Sequence, residues 1–110
     1  MAATNDGPLL VHNVYFLLHD RSQQARQKLI DDCKKYLTGH PGTVFFAVGT
    51  VADLDRPVND RDFDVGLHVI FENRKSHDDY QVAPRHIDFV NANKPSWAKV
   101  RVFDSNAERG

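Results

Sequence analysis

The amino-acid sequence predicts one α+β domain of the ferredoxin-like type, with the element order βαββαβ, a four-stranded antiparallel sheet and two helices on one face. Three observations support this prediction. Four segments alternate apolar residues with the period of a β-strand, two segments repeat them with the period of a helix, and turn-forming residues separate these segments. A chain of 110 residues has room for one core but not for two.

The first predicted strand covers residues 10–18, and both of its faces are largely apolar. One face carries Leu10, His12, Val14, Phe16 and Leu18, and the other carries Val11, Asn13, Tyr15 and Leu17. A strand that is apolar on both sides belongs to a sheet that is covered on both sides. The helices cover one side, so we expect a second copy of the chain to cover the other, as a homodimer formed by sheet-to-sheet packing. A monomer with an exposed apolar patch is the alternative.

The first helix is predicted over residues 22–37, with Ser22 as its N-cap. Its apolar stripe falls at helical spacing and consists of Ala25, Leu29, Cys33, Tyr36 and Leu37. Gly39 and Pro41 end this helix, because glycine favours a C-cap and proline cannot continue a helix. A second strand, rich in valine, phenylalanine and threonine, follows at residues 43–51.

The second half of the chain supplies two more strands around a second helical segment. A third strand is predicted at residues 63–71, with one apolar face made of Phe63, Val65, Leu67, Val69 and Phe71. Ser76 and Asp79 resemble a capping pair before a short helix, and Pro84 begins a second helical piece. The last strand is predicted at residues 97–104, where Ala98, Val100 and Val102 alternate with Trp97, Lys99, Arg101 and Phe103.

Composition and charge limit the partners and the compartment. The chain has 14 Lys and Arg against 15 Asp and Glu, with a formal net charge of -1, so we expect no nucleic-acid partner. No apolar run approaches the ~20 residues that a membrane span requires, and the polar start of the chain lacks the features of a secretory signal. We therefore expect a cytoplasmic domain at residues 10–104, between a flexible N-terminus at residues 1–9 and a C-terminal tail at residues 105–110.

The sequence predicts no disulfide, metal site or cofactor. Cys33 is the only cysteine, so no intramolecular disulfide forms, and the chain lacks the cysteine clusters of zinc and iron–sulfur sites. His12, His68, His77 and His86 are scattered, and their spacing matches no ligand motif. The acidic loop after the second strand lacks the glycine and the terminal glutamate of a calcium-binding loop.

Four side chains are candidates for a functional site. Tyr80 and His86 stand on either side of Pro84, His12 is the one histidine on an apolar strand face, and Trp97 begins the last strand. Each of the four also has a structural alternative, as a packed aromatic side chain or as a hydrogen-bonded histidine of the core.

Four segments share their order and spacing with a known protein family. They are HNVYF at residues 12–16, HPG at residues 40–42, DYQVAPRHIDFV at residues 79–90 and KVRVFD at residues 99–104. Together they resemble the stress-responsive α/β-barrel (Dabb) domain, over about residues 10–104. The resemblance implies a ferredoxin-like homodimer whose two sheets pack into an α/β barrel, in agreement with the prediction from strand alternation.

The resemblance also implies which residues are catalytic. In a plant polyketide cyclase with this domain, the catalytic tyrosine and histidine correspond to Tyr80 and His86, a first-strand histidine corresponds to His12, and a tryptophan corresponds to Trp97. A further histidine of that enzyme corresponds to Ala83, so this part of the pattern is missing. An imidazole can accept a proton near neutral pH, and a phenol can donate a hydrogen bond to an oxygen that gains negative charge.

The sequence leaves three functions open. The first is a stress-related homodimer that binds a small apolar or carbonyl-containing ligand between helices and sheet, without defined catalysis. The second is a polyketide cyclase-like enzyme that uses His86 as general base and Tyr80 as hydrogen-bond donor in an aldol step. The third is a cofactor-free monooxygenase-like enzyme of the same architecture, for which no residue pattern is specific. The predicted ligand pocket is lined by Val14, Phe16, Val65, Leu67, Val69, Phe89 and Trp97.

Overall fold

The computed structural model describes residues 7–110 and shows the ferredoxin-like α+β fold that the sequence predicts. Its elements are β1 (Leu9–Leu18), α1 (Gln23–Tyr36), β2 (Thr43–Thr50), β3 (Val65–Phe71), α2 (Arg74–Val82), α3 (Pro84–Asn93) and β4 (Trp97–Ala107), with a 3-10 turn at Lys94–Ser96. The strands form one antiparallel sheet in the order β2-β3-β1-β4. No helix within the described residues is long and apolar enough to cross a membrane.

One face of the sheet, the helix face, forms the core. Every second residue of β1 is buried there, as its alternation predicts, and β3 adds Val65, Leu67, Val69 and Phe71. The α1 helix covers this face with Leu29, Ile30 and Cys33. Its start is stabilised by Ser22, whose hydroxyl accepts a hydrogen bond of 3.1 Å from the Ala25 N–H. Burial of these apolar side chains is the main favourable term of folding.

A buried carboxylate, Asp64, joins the start of β3 to β1 and α1. It accepts hydrogen bonds from the Leu18 N–H at 2.8 Å, from Arg26 Nη2 at 2.6 Å and from Arg21 Nε at 3.1 Å. Burial acts to raise the pKa of Asp64, but these hydrogen bonds outweigh burial and lower it. The carboxylate is therefore ionised at neutral pH, and its oxygens are well supplied with donors.

The other face of the sheet, the open face, is only partly covered. Tyr15 lies at its centre, with ring centroids 4.8 Å from Phe63, 5.9 Å from His68 and 5.9 Å from Phe103. Phe103 of β4 is 55% exposed and Phe45 of β2 is 50% exposed. Large aromatic side chains therefore meet solvent on this face of a single copy.

Two local predictions in the middle of the chain are wrong. Phe63 precedes β3 and packs against Tyr15 on the open face, because the regular alternation begins only after Asp64. The N-cap of α2 is Asn73, whose side chain accepts a hydrogen bond of 2.9 Å from the Ser76 N–H. Ser76 is therefore inside the helix and does not cap it.

The predicted boundaries of the terminal strands also change. β4 continues to Ala107, beyond the predicted strand end at residue 104, because its last residues pair with the start of β1. Leu9 already belongs to β1, and residues 1–6 of the predicted flexible N-terminus lie outside the described residues.

A register shift decides which face Trp97 occupies. Leu17 pairs with Lys99, but Leu18 pairs with Trp97, so Ala98 is an extra residue in β4. Simple alternation places Trp97 on the same face as Lys99. The extra residue instead moves the Trp97 ring to the helix face, where it contacts Phe16 at a centroid distance of 5.1 Å.

Candidate functional site

A cavity of about 160 Å³ lies between the α2–α3 helix pair and the helix face of the sheet. His12 from β1, Tyr80 from α2 and His86 from α3 all border it, so the fold brings the three candidate catalytic residues together. Of the predicted pocket residues, the cavity is bordered by Val14, Phe16, Leu67, Phe89 and Trp97. Val65 and Val69 do not border it; both are 0% exposed and belong to the packed core.

A larger hollow, of about 440 Å³, lies beside α1 and includes Leu18, Lys28 and Asn93 in its lining. Among the described residues, the buried polar side-chain atoms without a hydrogen-bond partner belong to Thr43, Tyr80 and Trp97. None of these borders the larger hollow, whereas two of them border the smaller cavity. Unpaired polar atoms mark a place for a ligand better than volume does, so we assign the candidate site to the smaller cavity.

Tyr80 is the central side chain of this site. It is 2% exposed, and its ring lies edge-on to His86 at 4.8 Å and to His40 at 5.0 Å between centroids. Its hydroxyl has no hydrogen-bond partner among the described residues. Burial raises the pKa of the Tyr80 phenol, with a smaller contribution from Cys33. The phenol therefore keeps its proton and can donate it in a hydrogen bond.

His86 supplies an imidazole beside this phenol. Pro84 begins α3, and the first turn of that helix places His86 against Tyr80. Burial, followed by the proximity of His12, His40 and His77, lowers the pKa of His86 to about 4. The ring is consequently neutral near pH ~7, and one of its nitrogens can accept a hydrogen bond or a proton.

His12 is held in place by a carboxylate. It is 5% exposed on β1, and its Nδ1 lies 2.5 Å from an oxygen of Asp104, its cross-strand partner on β4. An ionised carboxylate only accepts hydrogen bonds, so Nδ1 is the donor. Burial lowers the pKa of His12, although the hydrogen bond and the charge of Asp104 oppose that effect.

Trp97 provides a second unpaired donor. Its indole Nε1 is buried and has no acceptor among the described residues. Its ring packs against Phe16 and Phe89, at centroid distances of 5.1 Å and 5.9 Å. An indole N–H can only donate, so it requires an acceptor from outside the described residues to be satisfied.

Three polar residues around the cavity have no role in the sequence prediction of this site. His40 is buried beside Tyr80, and its Nε2 lies 2.8 Å from the Tyr36 carbonyl oxygen. His77 lies 5.1 Å from His12 between ring centroids, and Asp104 holds His12. Two of the three had a readable signal: His40 belongs to the family-like HPG segment, and two-residue alternation from Val100 and Val102 places Asp104 on the helix face.

The site therefore combines an apolar lining with two unpaired donors and a neutral imidazole. A ligand oxygen that accepts hydrogen bonds would satisfy the donors, and the imidazole could accept a proton from carbon or oxygen nearby. A carbonyl group on a small apolar molecule meets both conditions.

The sequence of this chain matches one protein-family model. A sequence model described as "Stress responsive A/B Barrel Domain" matches residues 10–107. No curated protein sequence matches the chain.

Solved structures with this fold include proteins of several kinds. A Dabb family protein with a ferredoxin-like fold from Mesorhizobium loti has a TM-score of 0.75 at 23% identity, covering 94% of this chain and 99% of the other. The hydroxynitrile lyase from Passiflora edulis has a TM-score of 0.74 at 20% identity, covering 94% of this chain and 97% of the other. A dimeric ferredoxin-like protein of unknown function from Thermobifida fusca has a TM-score of 0.74 at 17% identity, covering 92% of each chain.

These structural similarities establish the fold and leave activity open. The identities are low, and one fold supports many unrelated functions. The chemistry of the cavity must therefore carry any functional conclusion about this chain.

Proposed function

This chain belongs to the stress responsive A/B barrel domain family, and within that family we propose that it is a homodimer that binds a small, largely apolar molecule with a carbonyl oxygen. The binding site is the cavity of Tyr80, His86 and Trp97. The observation that carries the proposal is the buried Tyr80 hydroxyl, which has no acceptor among the described residues. The proposal places the ligand oxygen within reach of that hydroxyl.

The energetics of burial support this assignment. A buried hydroxyl without a partner costs about 1–3 kcal/mol. Trp97 Nε1 adds a second unpaired donor to the same cavity. A ligand oxygen that accepts from these donors recovers part of that cost, while the apolar lining accommodates the rest of the molecule.

Binding experiments can use Trp97 as their probe, because it is the only tryptophan of the chain and borders the cavity. Its fluorescence should report binding of acetophenone and of ethylbenzene, which has a similar shape but lacks the carbonyl oxygen. We expect the ketone to bind about tenfold more tightly, which corresponds to one hydrogen bond. Tyr80→Phe should remove this preference and leave the affinity for ethylbenzene unchanged.

Tyr15→Phe is the matched control, because it removes a phenol from the open face of the same sheet. It should leave the ketone preference intact. Equal affinities of the wild-type protein for the two probes, or a preference that survives in Tyr80→Phe, would contradict the proposal.

The open face of the sheet supports the proposed homodimer. Tyr15, Phe45 and Phe103 form an aromatic surface there. Packing the same surface of a second copy against it would bury apolar area, and each Å² buried stabilises the dimer by about 25 cal/mol. The similar protein from Thermobifida fusca is described as dimeric.

Sedimentation velocity tests the dimer. Phe103→Asp should yield a folded monomer, because the charge would be buried against the partner but is tolerated at a side chain that is 55% exposed in one copy. Val58→Asp is the control, since Val58 is 84% exposed in a loop. A wild-type chain that sediments as a folded monomer at micromolar concentration would overturn this part of the proposal.

An aldol-type enzyme of the polyketide cyclase kind is the second candidate, and the pairing of His86 with Tyr80 favours it. In such a step His86 takes a proton from the carbon beside a carbonyl group, and Tyr80 donates a hydrogen bond to the resulting enolate oxygen. The enolate carbon then forms a bond to a second carbonyl carbon, and the proton returns from His86 to the new alkoxide.

We rank ligand binding ahead of catalysis because His86 is a weak base. A pKa of about 4 makes its imidazole neutral but a weak base, whereas an efficient general base has a pKa near the working pH. His86→Gln separates the two functions: loss of turnover with retained acetophenone binding supports the enzyme. Retained turnover would exclude His86 as the base. No described residue favours the monooxygenase-like alternative.

A further inference from the structure

A second cluster of polar side chains lies next to the cavity and has a different chemistry. It consists of His12 on β1, His77 on α2 and Asp104 on β4. One nitrogen of each ring and one carboxylate oxygen all lie within 4.8 Å of one another. We propose that these three side chains bind a divalent transition-metal ion, one per chain. This site goes beyond ligand binding by Tyr80.

The donor set favours this class of ion. Two imidazoles and one carboxylate are the ligands that zinc and other first-row divalent ions prefer, and three protein ligands leave further positions open. Ligand atoms around such an ion lie roughly 3–4 Å apart, because each is ~2.0–2.2 Å from the metal. The present separations run from the 2.5 Å of His12 and Asp104 up to at most 4.8 Å, so some must widen and others shorten by about an ångström.

The cluster also has the supporting contacts of a metal site. His77 Nδ1 lies 3.0 Å from an oxygen of Asp78, and its Nε2 has only a long contact of 3.5 Å with Gln81 Nε2. Nε2 is therefore the ring nitrogen that the ion would use. Metal-binding histidines commonly donate one ring nitrogen to a carboxylate in this way, which orients the ring and strengthens the other nitrogen as a ligand. His12 Nδ1 and the Asp104 oxygen already share a proton in a hydrogen bond. An ion bound by both atoms would displace that proton.

The ion has a path from solvent and a favourable balance of charge. A hollow of about 340 Å³ opens onto His77 and Asp104, between the start of α2 and the end of β4. Arg74 also borders this hollow, but its guanidinium pairs with Asp78 at 3.1 Å. The carboxylate of Asp104 supplies a negatively charged ligand, which attracts a divalent cation.

Cobalt(II) and zinc are suitable probes. After treatment with a chelator and its removal, the full chain should take up one Co²⁺ with the visible absorption bands of a low-coordinate site. Competition with Zn²⁺ should abolish those bands. Zn²⁺ should also raise the melting temperature of the wild-type protein, because the ion binds the folded chain.

Variants at the more accessible ligands test the assignment without disturbing the core. His77→Gln and Asp104→Asn should each weaken Co²⁺ binding by at least about tenfold and remove the Zn²⁺-dependent rise in melting temperature. His68→Gln is the matched control, because His68 lies on the open face and contacts Asn13. It should bind Co²⁺ like the wild type.

Two outcomes would overturn the metal site. One is the lack of saturable Co²⁺ binding by the wild-type protein. The other is a Co²⁺ affinity in either ligand variant that equals that of the wild type. Acetophenone binding by the metal-free protein is measured separately and does not depend on either result, so failure of this site and failure of the Tyr80 site remain distinguishable.

Discussion

The start of β3 and the cavity each contain a polar side chain that is almost completely buried, but the fold satisfies only one of them. Asp64 is 0% exposed and accepts hydrogen bonds from Leu18, Arg21 and Arg26. Tyr80 is 2% exposed, and its hydroxyl has no partner among the described residues. Burial removed water from both polar groups, which costs free energy. Only the Asp64 carboxylate regains hydrogen bonds from described residues that offset this cost.

This difference separates a group that stabilises the fold from a group that the fold leaves free for another molecule. A fully hydrogen-bonded carboxylate fixes the junction of three elements. An unpaired buried hydroxyl lowers stability, and such exceptions concentrate at functional sites. Substitutions at the two positions should therefore affect stability in opposite directions.

Asp64→Ala should have the largest effect. It removes the acceptor of the Leu18 N–H and leaves two guanidinium groups without their shared carboxylate, so the free energy of unfolding should fall by about 3 kcal/mol. Urea denaturation measures this change. Asp60→Ala breaks a contact of 2.7 Å with Arg101 at the surface and should cost far less. Equal losses in the two variants would mean that burial of Asp64 adds nothing.

The pH dependence of stability should reveal His86 in the cavity. Its pKa is lowered from 6.5 to about 4 in the folded chain. Between these pH values the unfolded chain binds a proton that the folded chain does not, so stability falls as the pH drops through this range. We expect a loss on the order of 2 kcal/mol from this group, allowing for its partial exposure.

His86→Gln is the variant that isolates this contribution. Urea denaturation from neutral pH to about pH 4 should show a shallower loss of stability in the variant than in the wild type, because glutamine does not titrate. Parallel curves would contradict the lowered pKa, and a proton NMR titration of the His86 ring would then give its actual value.

Tyr80→Phe should have a small effect of the opposite sign to Asp64→Ala. It removes a hydroxyl that has no partner among the described residues and keeps the ring, so the free energy of unfolding should stay constant or rise by up to about 1 kcal/mol. Urea denaturation in the absence of ligand measures it. A clear loss of stability would show that the hydroxyl is hydrogen-bonded in the folded chain.

Thr43→Val should have the smallest effect. Thr43 Oγ1 is also buried without a partner, but Thr43 lies on β2 and does not border the cavity. The substitution should change stability by no more than about 0.5 kcal/mol. The preference for acetophenone, measured by Trp97 fluorescence, should be unchanged. Loss of that preference in Thr43→Val would mean that the preference for acetophenone does not depend on the donors that border the cavity.

The strand pattern of β1 shows why much of the fold could be predicted. Leu10, Val14 and Phe16 alternate with Val11 and Tyr15, and the first set is buried as predicted. Alternation is a property of neighbouring residues, so it can be read without knowing their partners. Its failure at Trp97 has an equally local cause, since one extra residue in β4 reverses the face.

The candidate site could be predicted only in part. Tyr80 and His86 are close in the sequence, and their resemblance to a family pattern placed them in one site. His12 and Asp104 are separated by 92 positions and meet only through the pairing of β1 with β4. His77 joins them because α2 packs beside that pair. A search for ligand spacing along the chain therefore had no means to find this cluster.

By itself the sequence determined the element order, the helix and open faces of β1, the break before α3 at Pro84 and the family. These follow from periodicity and from the backbone preferences of single residues, which act over a few positions. The tertiary structure decided the face of Trp97, the full set of donors to Asp64, the unpaired hydroxyl of Tyr80 and the meeting of His12, His77 and Asp104. Each of these features depends on strand register and on packing between distant segments. A register shift of one residue would move the strand side chains involved to the opposite face of the sheet.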